Sequence, residues 1–165
     1  MRIDVCYTAT FCLAAIVFFT TGAAAQRNSR SQSINAEGLF TFRLPAGFKQ
    51  SETGVDSFMR GYQRGRSRFI FVCGDSASSE YDEKNMRELR EEAVTIGGKR
   101  ATIRTFLYKF ERASRYIAEL NFGDWRNGHV ELYMGMDSPN RTDVQTAKQI
   151  FRSVEFLKAG CAGRS

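Results

Sequence analysis

A chain of 165 residues with a net charge of +6, four cysteines and one histidine has room for one domain and excludes a metal centre built on several histidines. Lysine and arginine number 24 against 18 acidic residues, and the two signs are interspersed, which excludes a single-sign tail. A pI near 9.4 would point a cytoplasmic chain toward nucleic acid, but the N-terminus redirects that expectation.

Arg2, the mostly apolar run from Val5 to Phe19 and the small residues Gly22-Ala23-Ala24-Ala25 form the charged, apolar and cleavable pattern of a secretory signal peptide. Residues 1–25 are therefore set aside, and the mature chain is expected to begin near Gln26. The alternative is a retained membrane anchor, but the run is shorter than the roughly 20 residues that cross a bilayer. No transmembrane segment is expected after cleavage. Lipid attachment would need a cysteine where Gln26 stands. The expected location is periplasmic or secreted. There an acidic envelope component or protein is the partner implied by the charge, rather than nucleic acid; the alternative is a surface that is merely solubilised.

Cys6 and Cys12 leave with the signal, so Cys73 and Cys161 remain. An even count in an exported chain predicts one disulfide, with two free thiols as the alternative. The bridge would close a loop of about 90 residues, contribute about 4 kcal/mol in the chain-entropy model and tether a tail at residues 159–165.

Residues 26–36 are polar and rich in Ser, Asn and Arg, and predict a flexible leader. Leu39 to Leu44 predicts a strand, ended by the Pro45-Ala46-Gly47 turn, with Phe48 returning to the core. A second strand is expected over about Val55 to Gln63 and a third from Arg68 to Cys73, joined by a turn at Arg64-Gly65-Arg66-Ser67. Phe69-Ile70-Phe71-Val72 is apolar on consecutive positions, which predicts a central strand covered on both faces.

Asp82 to Ala93 predicts a helix, with Asp82 as cap, Met86, Leu89 and Ala93 as an apolar stripe, and Glu83/Arg87 and Arg87/Glu91 as charge pairs. Gly97-Gly98-Lys99 predicts a tight turn before a long strand, Ala101 to Phe110. Tyr116 to Phe122 and Val130 to Met136 predict a hairpin. A three-residue loop, Arg126-Asn127-Gly128, would put their apolar sets on one face and set Trp125 opposite His129. A last helix is expected from Pro139 to Arg152, capped by Ser138, with Val144, Ala147, Ile150, Phe151 and Val154 facing the sheet. A short strand at Val154 to Leu157 closes the chain. The sum is an α+β fold with a central, mostly antiparallel sheet of about six strands and helices packed on it.

Gly38 to Phe48 resembles the opening strand and turn of PsbP-like domains, a family that also includes a nuclear Ran-binding factor and bacterial envelope proteins. Gly97 to Ala101 looks like the turn before that family's long strand, and Ile150 to Phe156 like its closing helix and strand. The resemblance covers about residues 37–158 and implies one domain, a three-layer α-β-α sandwich with helices on both faces. It also implies a binding or accessory role more than catalysis, although a fold does not carry a function with it. Photosynthetic members assist an oxygen-evolving metal cluster, and no residue here matches that role.

Candidate sites are few. Arg60, Arg64, Arg66 and Arg68 sit with Phe58 and Tyr62 on the second hairpin, and Arg60 and Tyr62 share a strand face. This reads either as a surface for phosphate or carboxylate or as a solubilised hairpin tip. Trp125 could anchor a partner or cover its own sheet beside Tyr133. His129 could be approached across its hairpin by Glu119 and Glu131, or stand alone beside a turn. Lys99, Arg100, Arg104 and Tyr108 suggest a second basic-aromatic surface. No nucleophile elbow, phosphate loop or metal-spaced cluster occurs in the sequence, and no cofactor or metal is expected. The functional expectation is an exported, non-catalytic binding or accessory protein of the envelope. The alternatives are a secreted effector or inhibitor and a hydrolase or lyase centred on His129.

Overall fold

The computed structural model describes residues 31–54, 58–73, 81–110, 113–124 and 129–157; the side chains of Asp124, His129, Val130 and Glu131 are outside that description. Period-two burial builds the strands. In β2 (Phe40–Leu44) Phe40, Phe42 and Leu44 are buried, and in β5 (Ser67–Cys73) Ser67, Phe69, Phe71 and Cys73 are. These sets point to one side because successive side chains alternate across a strand.

Two antiparallel sheets result. The smaller orders β1 (Gln32–Ala36), β2 and β10 (Glu155–Phe156) with β2 in the middle. The larger has seven strands in the order β3 (Lys49–Thr53), β4 (Phe58–Arg64), β5, β9 (His129–Ser138), β8 (Ala113–Asp124), β7 (Lys99–Phe110), β6 (Met86–Ile96). One α-helix among the described residues, α1 (Asp143–Arg152), lies with the small sheet over one face of the large one. Between them is the core. Phe40, Phe42, Phe69, Phe71, Phe122, Leu120, Leu132 and Met134 meet Ala147, Ile150, Phe151 and Val154, all under 3 % exposed. Fully burying one such side chain stabilises the fold by about 1.5–3 kcal/mol. Phe48 also returns to this core at 4 % exposure. No helix among the described residues is long and apolar enough to cross a membrane.

The expected α-β-α sandwich of about six strands is not what forms. The described chain is mostly β, in two sheets with one α-helix, and no helical layer covers the second face. The missing layer is the expected helix at Asp82 to Ala93. Asp82 does cap: its carboxylate accepts from the Lys84 amide at 3.0 Å. It caps only a three-residue 3-10 turn, Glu83–Asn85, and Met86 is already extended. From Met86 the chain pairs with β7 as an edge strand through to Ile96↔Lys99. Of the charges that mimicked helix pairs, Glu83 lies in the 3-10 turn, while Arg87 and Glu91 are exposed side chains of the edge strand, where charge opposes unwanted strand addition. Ladder hydrogen bonds and the burial of Ile96 outweigh a narrow helical stripe.

Smaller corrections follow the same logic. Part of the expected leader is ordered, since β1 pairs with β2 from Gln32↔Leu44 to Ala36↔Phe40. The expected second strand is β4, and a strand that was not expected, β3, precedes it and pairs with it. Ser138 ends β9 and does not cap α1; the cap position is Thr142, reached through a turn in which the Asp143 amide donates to the Asn140 carbonyl at 3.1 Å. In the β8–β9 hairpin the expected even-to-even register holds through Leu120↔Met134 and Phe122↔Leu132. A bulge between Phe122 and Gly123 then pairs His129 with Asp124, so Trp125 is not its opposite. The Gly97-Gly98 turn is as expected: both residues have positive φ, +57° and +78°, between the paired Ile96 and Lys99.

Candidate binding surface

The arginine hairpin is β4–β5, closed by Gly65-Arg66 between paired Arg64 and Ser67. Its cations are mostly engaged by the protein itself. Arg60 donates to Glu37 at 3.1 Å and stacks over Phe58, and Arg68 pairs with Glu52. Arg64 lies over the Phe48 ring, 4.6 Å from its centroid, and donates to Asp143 at 3.1 Å. Asp143 also accepts from the Ser67 and Ser138 hydroxyls, both at 2.6 Å. Burial pushes the Asp143 carboxyl up, but those hydroxyls and the Arg64 charge outweigh it and hold the carboxyl below its usual range. This cluster ties the hairpin and the end of β9 to the first turn of α1. Tyr62, 4 % exposed, belongs to the core, and burial raises its phenol above the usual range. Arg66 is exposed at the tip with no ion pair among the described residues, and its carbonyl accepts from Arg115 at 2.8 Å.

The face of the large sheet away from α1 carries a buried ionic cluster. Arg104 on β7 is 2 % exposed and lies 3.4 Å from Glu119 of β8, itself 0 % exposed. Tyr133 of β9 donates its hydroxyl to the other Glu119 oxygen at 3.1 Å. Glu91 and Glu83 approach Arg104 at 3.4 and 3.8 Å. Gly135 is what lets Tyr133 reach: a Cβ there would stand 2.5 Å from the Tyr133 hydroxyl oxygen. Arg104 is therefore an internal partner and not part of an exposed basic-aromatic surface. Glu119 lies across from Gly135, away from the His129 backbone.

On the α1 side a groove of about 130 Å³ opens between β6, β7, β8 and the start of the helix. Arg90 and Glu88 line it from β6, Thr105 from β7, Tyr116 from β8, and Arg141 and Lys148 from the helical end. Arg90 is directed there because its cross-strand partner is Thr105, on the side α1 covers. Lys148 bonds Glu92 at 2.9 Å, and Arg141 lies 3.5 Å from Glu88. The hydrogen bond from Lys148 is the main reason the Glu92 carboxyl sits below its usual range, with Arg152 adding to it. Arg90 makes no ion pair with the described residues. The lining therefore holds an uncompensated cation beside an aromatic ring, a setting that attracts an acidic group.

The expected site residues are thus dispersed. Arg60, Arg64 and Tyr62 are built into the fold and Arg66 is a lone tip residue. Trp125 and the His129 side chain lie outside the described residues. The groove was missed because its residues come from four elements far apart in sequence. The available signal was the run Arg90, Glu92, Val94, Ile96, which alternates on one face once 86–96 is read as a strand. Cys73 is 8 % exposed and held in a disulfide; Cys161, its expected partner, is outside the described residues. Among the described residues no group of three or more His, Cys, Asp or Glu is placed to hold a metal.

No family model matches the chain, and no curated protein matches it. Among solved structures it is similar to a mutant of the protein Mog1, at 7% identity and a TM-score of 0.47, over 78% of this chain and 97% of that one. A likeness at that level assigns neither fold nor function.

Proposed function

We propose that this is an exported, non-catalytic binding or accessory protein of the cell envelope, and that it meets an acidic partner at the groove between β6 and α1. The observation that carries the reading is Arg90 in that groove, unpaired among the described residues, with Tyr116, Arg141 and Lys148 in the same lining. Export is supported by the signal pattern of residues 1–25 and by a disulfide at Cys73, which suits an oxidising compartment. The bridge is proposed to join Cys73 to Cys161. The PsbP-like resemblance implies the same kind of role, though not the architecture observed.

The test is capture of partners from envelope extracts by the wild-type chain, by an Arg90→Glu/Arg141→Glu variant and by Arg66→Glu. The groove variant is expected to lose the captured partner and Arg66→Glu to keep it. Capture unchanged by the groove variant overturns the groove, and a chain found wholly in the cytoplasm overturns export. Most of the chain in the external medium would favour the secreted effector instead.

A further inference from the structure

Glu88 is the one acidic residue lining the groove, and its placement is unusual. Arg87 pairs with Leu107 and Arg90 with Thr105, so Glu88 and Leu89 are both accommodated opposite one β7 position. Glu88 adopts φ +55°, a region that residues with a side chain rarely enter. Such backbone persists only where something fixes it, and bulges often re-aim a side chain. Here the bulge delivers a carboxylate to within 3.5 Å of Arg141. That pair is open to water, with 69 % of the Arg141 side chain and 56 % of the Glu88 side chain exposed. Exposed pairs of this kind hold weakly and are readily exchanged.

We infer that Glu88 is an internal stand-in for the ligand's acidic group, held by Arg141 at the edge of an oxyanion subsite that Arg141 forms with Arg90, with Lys148 at its side. The inference rests on the groove being the binding surface and adds the chemistry it takes: a compact oxyanion, carboxylate or phosphate. An entering oxyanion takes Arg141 from Glu88, and Arg90 supplies a charge that no described residue pairs with. The Glu88 charge opposes every anion that enters, so it sets affinity below what the cations alone would give. It also favours a ligand able to engage both arginines over one that engages a single cation.

Titration of the purified exported chain at low ionic strength tests this, with inorganic phosphate in one arm and acetate in the other. Glu88→Gln keeps the side chain's shape and removes its charge; it is expected to bind at least about threefold more tightly than wild type in the arm that represents the true ligand class. Arg90→Gln is expected to bind at least about threefold more weakly in the same arm. Tighter binding confined to phosphate assigns a phosphate ligand, and confined to acetate a carboxylate. Glu88→Gln is expected to melt with wild type, which separates its gain in binding from misfolding, and Glu88→Gly, which suits the positive φ and also lacks the charge, is expected to show the same gain. Equal or weaker binding by Glu88→Gln overturns the inference, as does no binding by either chain. Partner capture that still depends on Arg90 would then leave the groove reading standing without it.

Discussion

The arginines of the β4–β5 hairpin and the cations around the β6–α1 groove are both visible to solvent, yet they differ in what the fold does with them. On the hairpin, Arg60, Arg64 and Arg68 each meet a carboxylate of this chain, Glu37, Asp143 and Glu52. In the groove, Arg141 and Lys148 have partners and Arg90 has none among the described residues. Except at the Arg66 tip, density of arginine along the sequence therefore marks an anchored hairpin, whereas the groove keeps Arg90 unpaired among the described residues. A cation already paired with its own protein must give up that pair to bind anything else.

Substitutions can break this contrast, and the largest effect belongs to the most buried cation. Replacing Arg104 with Met strands Glu119, which is 0 % exposed. It is expected to cost about 3–5 kcal/mol in urea unfolding. Replacing both Arg104 and Glu119 by Met should recover most of that loss. A double variant as unstable as the single one would mean the pair does not act as a unit.

Gly135→Ala comes next, because its Cβ displaces the Tyr133 hydroxyl that bonds Glu119. A loss of about 1–3 kcal/mol is expected, from the unmet buried carboxylate. Near-zero cost would show that Tyr133 has room to move.

A smaller, pH-dependent effect comes from Asp143. Its folded carboxyl is held below the usual range, so its contribution is present above the unfolded value of about 3.9 and is lost as pH falls through the folded one. Asp143→Asn should flatten that part of the stability curve below about pH 4, read by thermal melts across pH. A wild-type slope retained in the variant would assign it to other carboxyls.

The smallest change is predicted for Arg90→Met, within about 0.5 kcal/mol of wild type, because no pair with the described residues depends on it. A large destabilisation would make Arg90 structural, like the hairpin arginines, and remove the contrast.

Strong periodic patterns were legible in the sequence. The apolar face of α1 buries Ala147, Ile150 and Phe151 as the spacing predicts. The β8–β9 register follows from placing Leu120 and Phe122 on the same side as Met134 and Leu132. The strand β5 was read as central and does lie between β4 and β9, although its second face is only partly covered, with Ile70 and Val72 intermediate in burial. What was not legible depended on distant pairing. Met86 to Ile96 carries too few apolar residues to announce a strand, and only β7 makes it one. The charge clusters were equally hidden, since Arg64 meets Asp143 and Arg104 meets Glu119 through topology and not through local spacing.

The central claim is that the groove, and not the arginine hairpin, receives an acidic partner. Backbone amide NMR of the isotope-labelled chain, titrated with a glutamate-rich peptide, tests it most directly. The account predicts shifts centred on Glu88, Arg90, Thr105, Tyr116, Arg141 and Lys148, with Gly65 and Arg66 unmoved. Shifts centred on Gly65 and Arg66, with the groove silent, would contradict it.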